Sequence, residues 1–199
     1  RIIRPIINLK GGGGTPTKDY YELEYIESTG TQYIDTGVLS TTIKRIDVKF
    51  MFVDNSINYG RVFGLLNSND CQLYMWTNQI NKLALNTTNE IVFDILTSVN
   101  ELTLDDGTII INGTTLQDHY ERLSDTQYNL MLFRGNDRYS KTKIYSFEIY
   151  VNDIAVRDFV PCIRKSDMAI GLWDKVNNEF YGNSGTGTFI SGGIVEWTT

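Results

Sequence analysis

Aromatic side chains beside polar ones are the residues of this 199-residue sequence whose chemistry suggests a function. Sugar rings stack on tyrosine and tryptophan, while arginine, asparagine and aspartate exchange hydrogen bonds with hydroxyl groups. The candidates for ligand binding are Tyr59, Arg61, Tyr74, Trp76, Arg134, Asn136, Asp137, Arg138 and Tyr139. Aromatics on alternate positions of a strand are usually core residues, and that interpretation stays open for Tyr74 and Trp76.

Residue types that perform catalysis are present, but their spacing matches no familiar active site. The single histidine, His119, lies in a polar stretch, and no Gly-x-Ser-x-Gly nucleophile motif occurs. Glycan hydrolases need an acid and a partner carboxylate in one cleft. Glu22 and Glu24 have a suitable two-residue spacing but lie at the start of the domain, and Glu148 has no acidic residue two positions away. We predict no catalytic residues, with a glycan-cleaving enzyme kept as an alternative.

The sequence carries only weak signals for a metal site or a redox site. Calcium takes oxygen ligands from loops, and the stretches 67–70 and 136–137 offer Asn and Asp side chains, although without the regular spacing of a calcium loop. Ordinary turns are the favoured interpretation of both. Cys71 and Cys162 lie far apart and form no C-x-x-C motif, which argues against zinc or redox chemistry. We predict no cofactor, and two buried thiols rather than a disulfide.

The composition describes an acidic chain with enough apolar residues for one core. Hydrophobic residues make up 41% and charged residues 21%, and the formal net charge is −6. An acidic chain lacks the basic face that binding to nucleic acid or to an anionic membrane requires. No apolar run approaches the roughly 20 residues that span a bilayer. We therefore expect neither nucleic acid nor a membrane among the partners.

The first 18 residues differ from the rest of the chain. Gly11 to Gly14 predict a flexible joint, because ordering four glycines costs much conformational entropy. The segment before them carries the apolar side chains of Ile2, Ile3, Ile6, Ile7 and Leu9. One interpretation is a disordered leader. The other is an attachment arm that adds a strand to another protein or to a second copy of the chain.

From residue 19 to residue 199 the sequence reads as one domain of short strands and turns. In 43–53, Ile46, Val48, Phe50 and Phe52 alternate with polar residues and predict a strand with one buried face. The Asp106-Gly107 pair predicts a hairpin turn. The stretch 117–125 is the best place for one short helical turn. About a dozen short strands imply an all-β, antiparallel two-sheet sandwich or jelly roll.

Two sets of motifs bracket this domain. The opening motif is Leu23–Gly37, LEYIESTGTQYIDTG. The closing motifs are RDFVPC at 157–162, GLWD at 171–174 and FYGNSGTGTF at 180–189. We expect the two sets to lie on neighbouring strands and to close the sandwich. We also expect Phe159, Trp173, Phe180 and Phe189 in the core, and Pro161 at an edge or strand end because proline cannot donate to a ladder.

These motifs resemble concanavalin A-like (laminin-G-like) jelly-roll domains of gut bacteria and their phages, over about residues 20–193. Such modules are attached to phage tail, head-fibre or other virion proteins, or to bacterial surface proteins, and are taken to bind glycans. The resemblance implies a lectin-like, non-enzymatic module on a phage particle that recognises host-surface carbohydrate and is tethered by its arm. A purely structural virion protein is the alternative function, the bacterial surface is the alternative location, and a homo-oligomer is a further expectation.

Overall fold

The structure is a computed structural model and describes residues 18–66, 72–75, 79–86, 91–118 and 127–195. It is all-β, with two large antiparallel sheets packed as a sandwich and one 3₁₀ turn at Ser40–Thr42. Within these ranges no helix is long and apolar enough to cross a membrane. The predicted arm, 1–18, lies outside this description except for Lys18.

The larger sheet has eleven strands, numbered with all others in chain order. They are β1 (Tyr20–Glu22), β2 (Ile26–Glu27), β4 (Arg45–Phe52), β9 (Asn100–Asp105), β10 (Thr108–Ile111), β11 (Thr114–Asp118), β15 (Thr142–Val151), β16 (Ile154–Arg164), β17 (Ile170–Asp174), β18 (Glu179–Tyr181) and β19 (Ile190–Ser191). The order is β11-β10-β9-β4-β15-β16-β17-β18. Strand β1 lies beside β16, and β2 lies between β15 and β19.

The smaller sheet has six strands in the order β3-β12-β5-β6-β7-β8. They are β3 (Ile34–Leu39), β5 (Arg61–Leu65), β6 (Gln72–Met75), β7 (Lys82–Asn86), β8 (Ile91–Asp94) and β12 (Asn129–Leu132). A two-stranded hairpin, β13 (Arg134–Gly135) and β14 (Arg138–Tyr139), continues from the end of β12.

The core lies between the two sheets and follows the predicted alternation. On β4 the side chains of Ile46, Val48, Phe50 and Phe52 are all buried, as the period of two predicted. Across the sandwich, Phe63 of the smaller sheet meets Phe147 of the larger one edge to face, with ring centroids 5.8 Å apart. Such contacts join the inner faces of the sheets.

The Asp-Gly hairpin prediction is also confirmed. Asp106 and Gly107 have φ angles of 33° and 101° and connect the antiparallel strands β9 and β10. Positive φ at both central positions is the conformation of the type I′ turn, one of the two common two-residue hairpin turns. The predicted helical turn at 117–125 is wrong for its first two residues, which belong to β11. The remainder lies outside the described residues.

The expectation that the opening and closing motifs lie on neighbouring strands is confirmed only in part, because one member of each strand pair lies just outside the motifs. Strand β2, from the opening motif, pairs with β19, which follows the last closing motif, and Glu27 faces Ile190. Leu23 forms a β-bridge with Ile194. Strand β1 pairs with the end of β16, where Glu22 faces Cys162. Direct backbone hydrogen bonds do join the two sets, from Leu23 N to Pro161 O and from Ser184 N to Tyr33 O.

Two of the four aromatics expected in the core lie elsewhere. Phe159 and Phe189 are buried in the main core. Side chains alternate along a strand, so Trp173 faces away from the core that its neighbour Leu172 enters. Trp173 and Phe180 instead pack in a second cluster on the outer face of the larger sheet. We call it the outer cluster; its members are Tyr20, Val160, Cys162, Trp173 and Phe180.

Pro161 lies inside β16, so the prediction of an edge or strand end is wrong. Residues of β16 up to Phe159 pair with β15, and pairing with β1 begins at Cys162. The backbone oxygen of Pro161 accepts a hydrogen bond from Leu23 N, on the β1 side. The nitrogen and oxygen of one strand residue point to the same side. Proline has no N–H group to donate on that side, and at this position the neighbour of β16 changes from β15 to β1.

Candidate ligand-binding site

Strand ends of the smaller sheet bring most of the candidate residues together. Leu132, the last residue of β12, pairs with the first residue of β3 and with the third of β5. Tyr33, just before β3, and Arg134, two residues after Leu132, therefore lie at the same end of the sheet. Arg61, which begins β5, pairs with Tyr74 of β6 at that end as well.

At the centre of this site, the side chain of Arg134 lies against two tyrosine rings. Its guanidinium carbon is 4.8 Å from the ring centroid of Tyr33 and 5.1 Å from that of Tyr139. The two rings are inclined to one another, with their centroids 6.3 Å apart. All three side chains are half-buried. We call these three residues the tyrosine–arginine cluster.

The hairpin that carries Arg134 is fixed by unusual backbone geometry. Phe133 has a φ of 65° and Asn136 a φ of 52°. Positive φ in a bulky residue such as Phe133 is strained and persists only where the surroundings determine it. Phe133 is fully buried against Phe189, and Asn136 N donates to Leu65 O over 2.6 Å. The turn therefore aims Arg134 and Tyr139 at the same place.

The tip of the hairpin exposes polar groups beside the cluster. Asn136 O accepts a hydrogen bond from Arg134 Nε over 3.2 Å. Arg138 Nε lies 3.5 Å from the Asp137 carboxylate, and both side chains are exposed. An exposed ion pair of this kind contributes little to stability. These two side chains are consequently available to exchange hydrogen bonds with a ligand.

The second group consists of Tyr59, Arg61 and Tyr74. The Arg61 guanidinium carbon lies 4.2 Å above the Tyr74 ring, and the ring centroids of Tyr59 and Tyr74 are 6.3 Å apart. Tyr74 is only 6% exposed, so its ring offers little surface for stacking. Tyr59, with a φ of 53°, remains half-buried in the turn before β5. In this group, Tyr59 and Arg61 are therefore the side chains that can reach a ligand.

Gly60 joins the two groups. A Cβ atom at this position would lie 3.3 Å from Ser140 Cβ and 3.4 Å from Tyr139 O. Gly60 O also accepts a hydrogen bond from Met75 N over 2.9 Å. The turn before β5 therefore rests directly on the end of the β13–β14 hairpin, and the two groups form one continuous surface.

Tyr33 is a site residue that sequence reasoning did not single out. It lies 101 positions before Arg134, and only the strand register brings the two together. The closing motif FYGNSGTGTF holds it in place, because Ser184 N donates to Tyr33 O over 2.8 Å and Tyr33 N donates to Asn183 Oδ1 over 3.3 Å. A Cβ atom on Gly185 would lie 3.1 Å from Tyr33 Cδ1. The closing motif FYGNSGTGTF, whose glycines are typical of turns, therefore also positions Tyr33 in the site.

Several other candidates lie outside the described residues: Trp76, His119, Cys71, the stretch 67–70 and the arm residues Ile2, Ile3, Ile6, Ile7 and Leu9. In the described ranges no group of three or more His, Cys, Asp or Glu side chains could hold a metal ion. Glu148 accepts a hydrogen bond from Tyr150, which raises the pKa of Tyr150 to about 12. Burial raises the pKa of the Cys162 thiol to about 12 as well, so at neutral pH it is protonated and a poor nucleophile.

Comparison of the chain with protein-family models and with curated proteins finds no match. Its chemistry is therefore read from the site alone. The described part of that site combines half-buried tyrosine rings, guanidinium groups and amide and carboxylate oxygens. Such a set can stack on an apolar face and exchange hydrogen bonds with hydroxyl groups, which are the requirements for holding a sugar.

Proposed function

We propose that this chain is a non-enzymatic, lectin-like module that binds a host-surface carbohydrate and is carried on a phage particle. We further propose that its sandwich is a jelly roll of the concanavalin A-like kind, as the resemblance of its bracketing motifs implies. The observation that carries the binding function is the tyrosine–arginine cluster, in which the Arg134 guanidinium lies against the rings of both Tyr33 and Tyr139.

In the proposed mode of binding, a sugar ring packs its apolar face against Tyr139 while its hydroxyl groups meet the surrounding polar atoms. Asp137 can accept hydrogen bonds, and Arg138 can donate them. The buried turn at Phe133 holds the hairpin before the ligand arrives, which lowers the ordering entropy that binding costs. Recognition by hydrogen bonding and stacking needs no acid–base pair, in keeping with a non-enzymatic module.

A panel of immobilised glycans tests the binding function directly. Tyr139→Ala removes one wall of the cluster and should weaken binding to any retained glycan about tenfold, because ring stacking contributes about 1–3 kcal/mol per contact. Tyr128→Ala is the matched control, since Tyr128 is a 39% exposed tyrosine just before β12, at the opposite end of that strand. Equal weakening by both variants, or no glycan retained at millimolar concentration, would count against carbohydrate recognition.

The absence of any bound glycan would favour the alternative of a purely structural virion component. The enzyme alternative is tested by incubating the protein with the polysaccharide that it retains. Release of shorter oligosaccharides would overturn the non-enzymatic assignment, whereas an intact polymer supports it. Both assays use the whole chain, so they do not depend on the arm.

We also propose that the arm tethers the module to other virion proteins or to a second copy of the chain. Deleting residues 1–18 should abolish incorporation into the particle and leave the sandwich folded, as judged by an unchanged unfolding midpoint. Light scattering of both forms shows whether the arm changes the oligomeric state. Assembly of the truncated protein would make the tether wrong without affecting the binding function.

A further inference from the structure

Arg134 differs from most other arginines of the described part of the chain in having no carboxylate partner there. Four arginines lie within 4 Å of an aspartate oxygen. These pairs are Arg45–Asp47, Arg138–Asp137, Arg157–Asp174 and Arg164–Asp167. Arg134 instead has the two tyrosine rings and one hydrogen bond, from Nε to Asn136 O. The half-buried guanidinium therefore keeps a positive charge that an anionic ligand can neutralise.

The contacts of Arg134 leave one part of the guanidinium available. The rings of Tyr33 and Tyr139 lie against it at 4.8 and 5.1 Å from the guanidinium carbon, and Nε is occupied by Asn136 O. Neither Nη atom has a hydrogen-bond partner among the described residues. Two parallel N–H groups on a held, planar guanidinium form the fork that matches the two oxygens of a carboxylate.

The local charge favours an anion at this place. The chain has a net charge of −6, yet the hairpin 134–139 carries Arg134, Arg138 and one aspartate, a net charge of +1. The aspartate, Asp137, lies 3.5 Å from Arg138, which offsets its repulsion of a second carboxylate. Screening at physiological salt acts over about 8 Å, so this local balance matters more to a ligand at the cluster than the global charge does.

We propose that the ligand of this site is an acidic saccharide, and that Arg134 binds its carboxylate through the two Nη atoms while Tyr139 packs against the sugar ring. This inference rests on the proposed carbohydrate-binding function and narrows the class of glycan. A sugar acid of the uronic or sialic type carries the planar carboxylate that the fork recognises. A sulfate ester also presents oxygens that an arginine fork can bind, so the test must distinguish a carboxylate from a sulfate.

The experiment uses pairs of oligosaccharides that differ only in the carboxylate. A panel containing uronic and sialic acids is titrated alongside carboxyl-reduced counterparts, and a sulfated neutral series forms a third arm. We expect at least one acidic member to bind about tenfold or more tightly than its reduced partner, since a bidentate charge-assisted pair contributes at least about one power of ten in affinity. Arg134→Lys keeps the charge but removes the fork, and should reduce this preference.

The outcomes separate the inference from the proposed function. Equal binding of acidic and reduced partners, retention of neutral glycans alone, or equal binding of sulfated and carboxylated forms would overturn the carboxylate assignment and leave glycan binding standing. No binding in any arm would overturn both. Arg134→Met provides a second test, and an unchanged unfolding midpoint confirms that each variant is folded. Retention of the preference for acidic sugars by both Arg134 variants would assign the carboxylate to another residue.

Discussion

Arg157 Nε donates a hydrogen bond to Thr36 O over 2.9 Å and so joins the first closing motif to the opening motif across the sandwich. The same nitrogen lies 3.7 Å from the buried carboxylate of Asp174, in the second closing motif. The guanidinium also lies 5.3 Å from the ring centroid of Tyr181, in the third. One arginine therefore connects all the motifs that bracket the domain, although they lie far apart in the sequence.

Asp174 is the buried anion of this junction, and its removal should destabilise the fold strongly. Its carboxylate accepts hydrogen bonds from Asp158 N, Val176 N and Asn177 Nδ2, at 3.1, 3.0 and 2.6 Å. In Asp174→Ala these donors and Arg157 lose a partner, at a cost of about 3 kcal/mol in the free energy of unfolding. Urea denaturation measures the change.

Asp94→Ala is the control for that measurement. It removes an ion pair with Lys82 in which the Asp94 side chain is 77% exposed, so the loss should not exceed about 0.5 kcal/mol. Comparable losses in the two variants would show that the Asp174 network contributes nothing specific to stability.

Gly185→Ala should disturb both stability and the site. A Cβ atom there would overlap Thr31 O and press against the Tyr33 ring, so we expect a loss of about 1–3 kcal/mol and weaker ligand binding. Gly193→Ala is the matched control, because no atom lies within 4 Å of its Cβ position. Thermal unfolding of both proteins measures the effect, and identical midpoints would contradict the predicted overlap.

Tyr20→Ala should loosen the first strand. Tyr20 stacks on Trp173 in the outer cluster, with ring centroids 4.8 Å apart and planes inclined by 22°. Losing this buried ring should cost about 2–3 kcal/mol and should speed amide exchange in β1 more than elsewhere. Hydrogen exchange measured by mass spectrometry locates the change. Uniform acceleration across the larger sheet would mean that β1 does not open independently.

Cys162 predicts a loss of stability at alkaline pH. Its folded pKa of about 12 is above the unfolded value of about 8.5, so the unfolded chain loses the thiol proton first. The stabilisation by the protonated Cys162 thiol is fully present below about pH 8.5 and falls as the pH rises toward 12. Between pH 8.5 and 10.5 the wild-type protein should lose more stability than Cys162→Ala does. Parallel curves for the two proteins would contradict the raised pKa.

Much of the fold could be predicted from the sequence, since its signals are local. Alternation on β4 identified the buried faces of Ile46 and Phe50, and the Asp106-Gly107 pair identified a turn whose φ angles only certain residues adopt. The prediction that Pro161 lies at an edge or strand end was wrong because β16 changes its neighbouring strand, from β15 to β1, at that position. Trp173 failed as a core residue because size and hydrophobicity do not tell which face of a strand packs on the main core.

The site could be predicted only in part. The polar and aromatic loop at 134–139 was identified by composition, and the structure joins it to Tyr59 and Arg61 through Gly60. Arg61 lies over the buried ring of Tyr74, and the position of Tyr33 depends on the register between β3 and β12. Both are tertiary facts, set by residues far apart along the chain, which no local pattern encodes.

The bridge between Leu23 and Ile194, continued by a hydrogen bond of 2.9 Å from Val195 N to Glu22 O, places the beginning and the end of the described chain side by side. A linker from the residues after Val195 to those before β1 would therefore join segments that are already adjacent. New ends could then open at the exposed Asn112-Gly113 turn. In such a circular permutant, the order of the strands in space, rather than their order along the chain, would specify the sandwich.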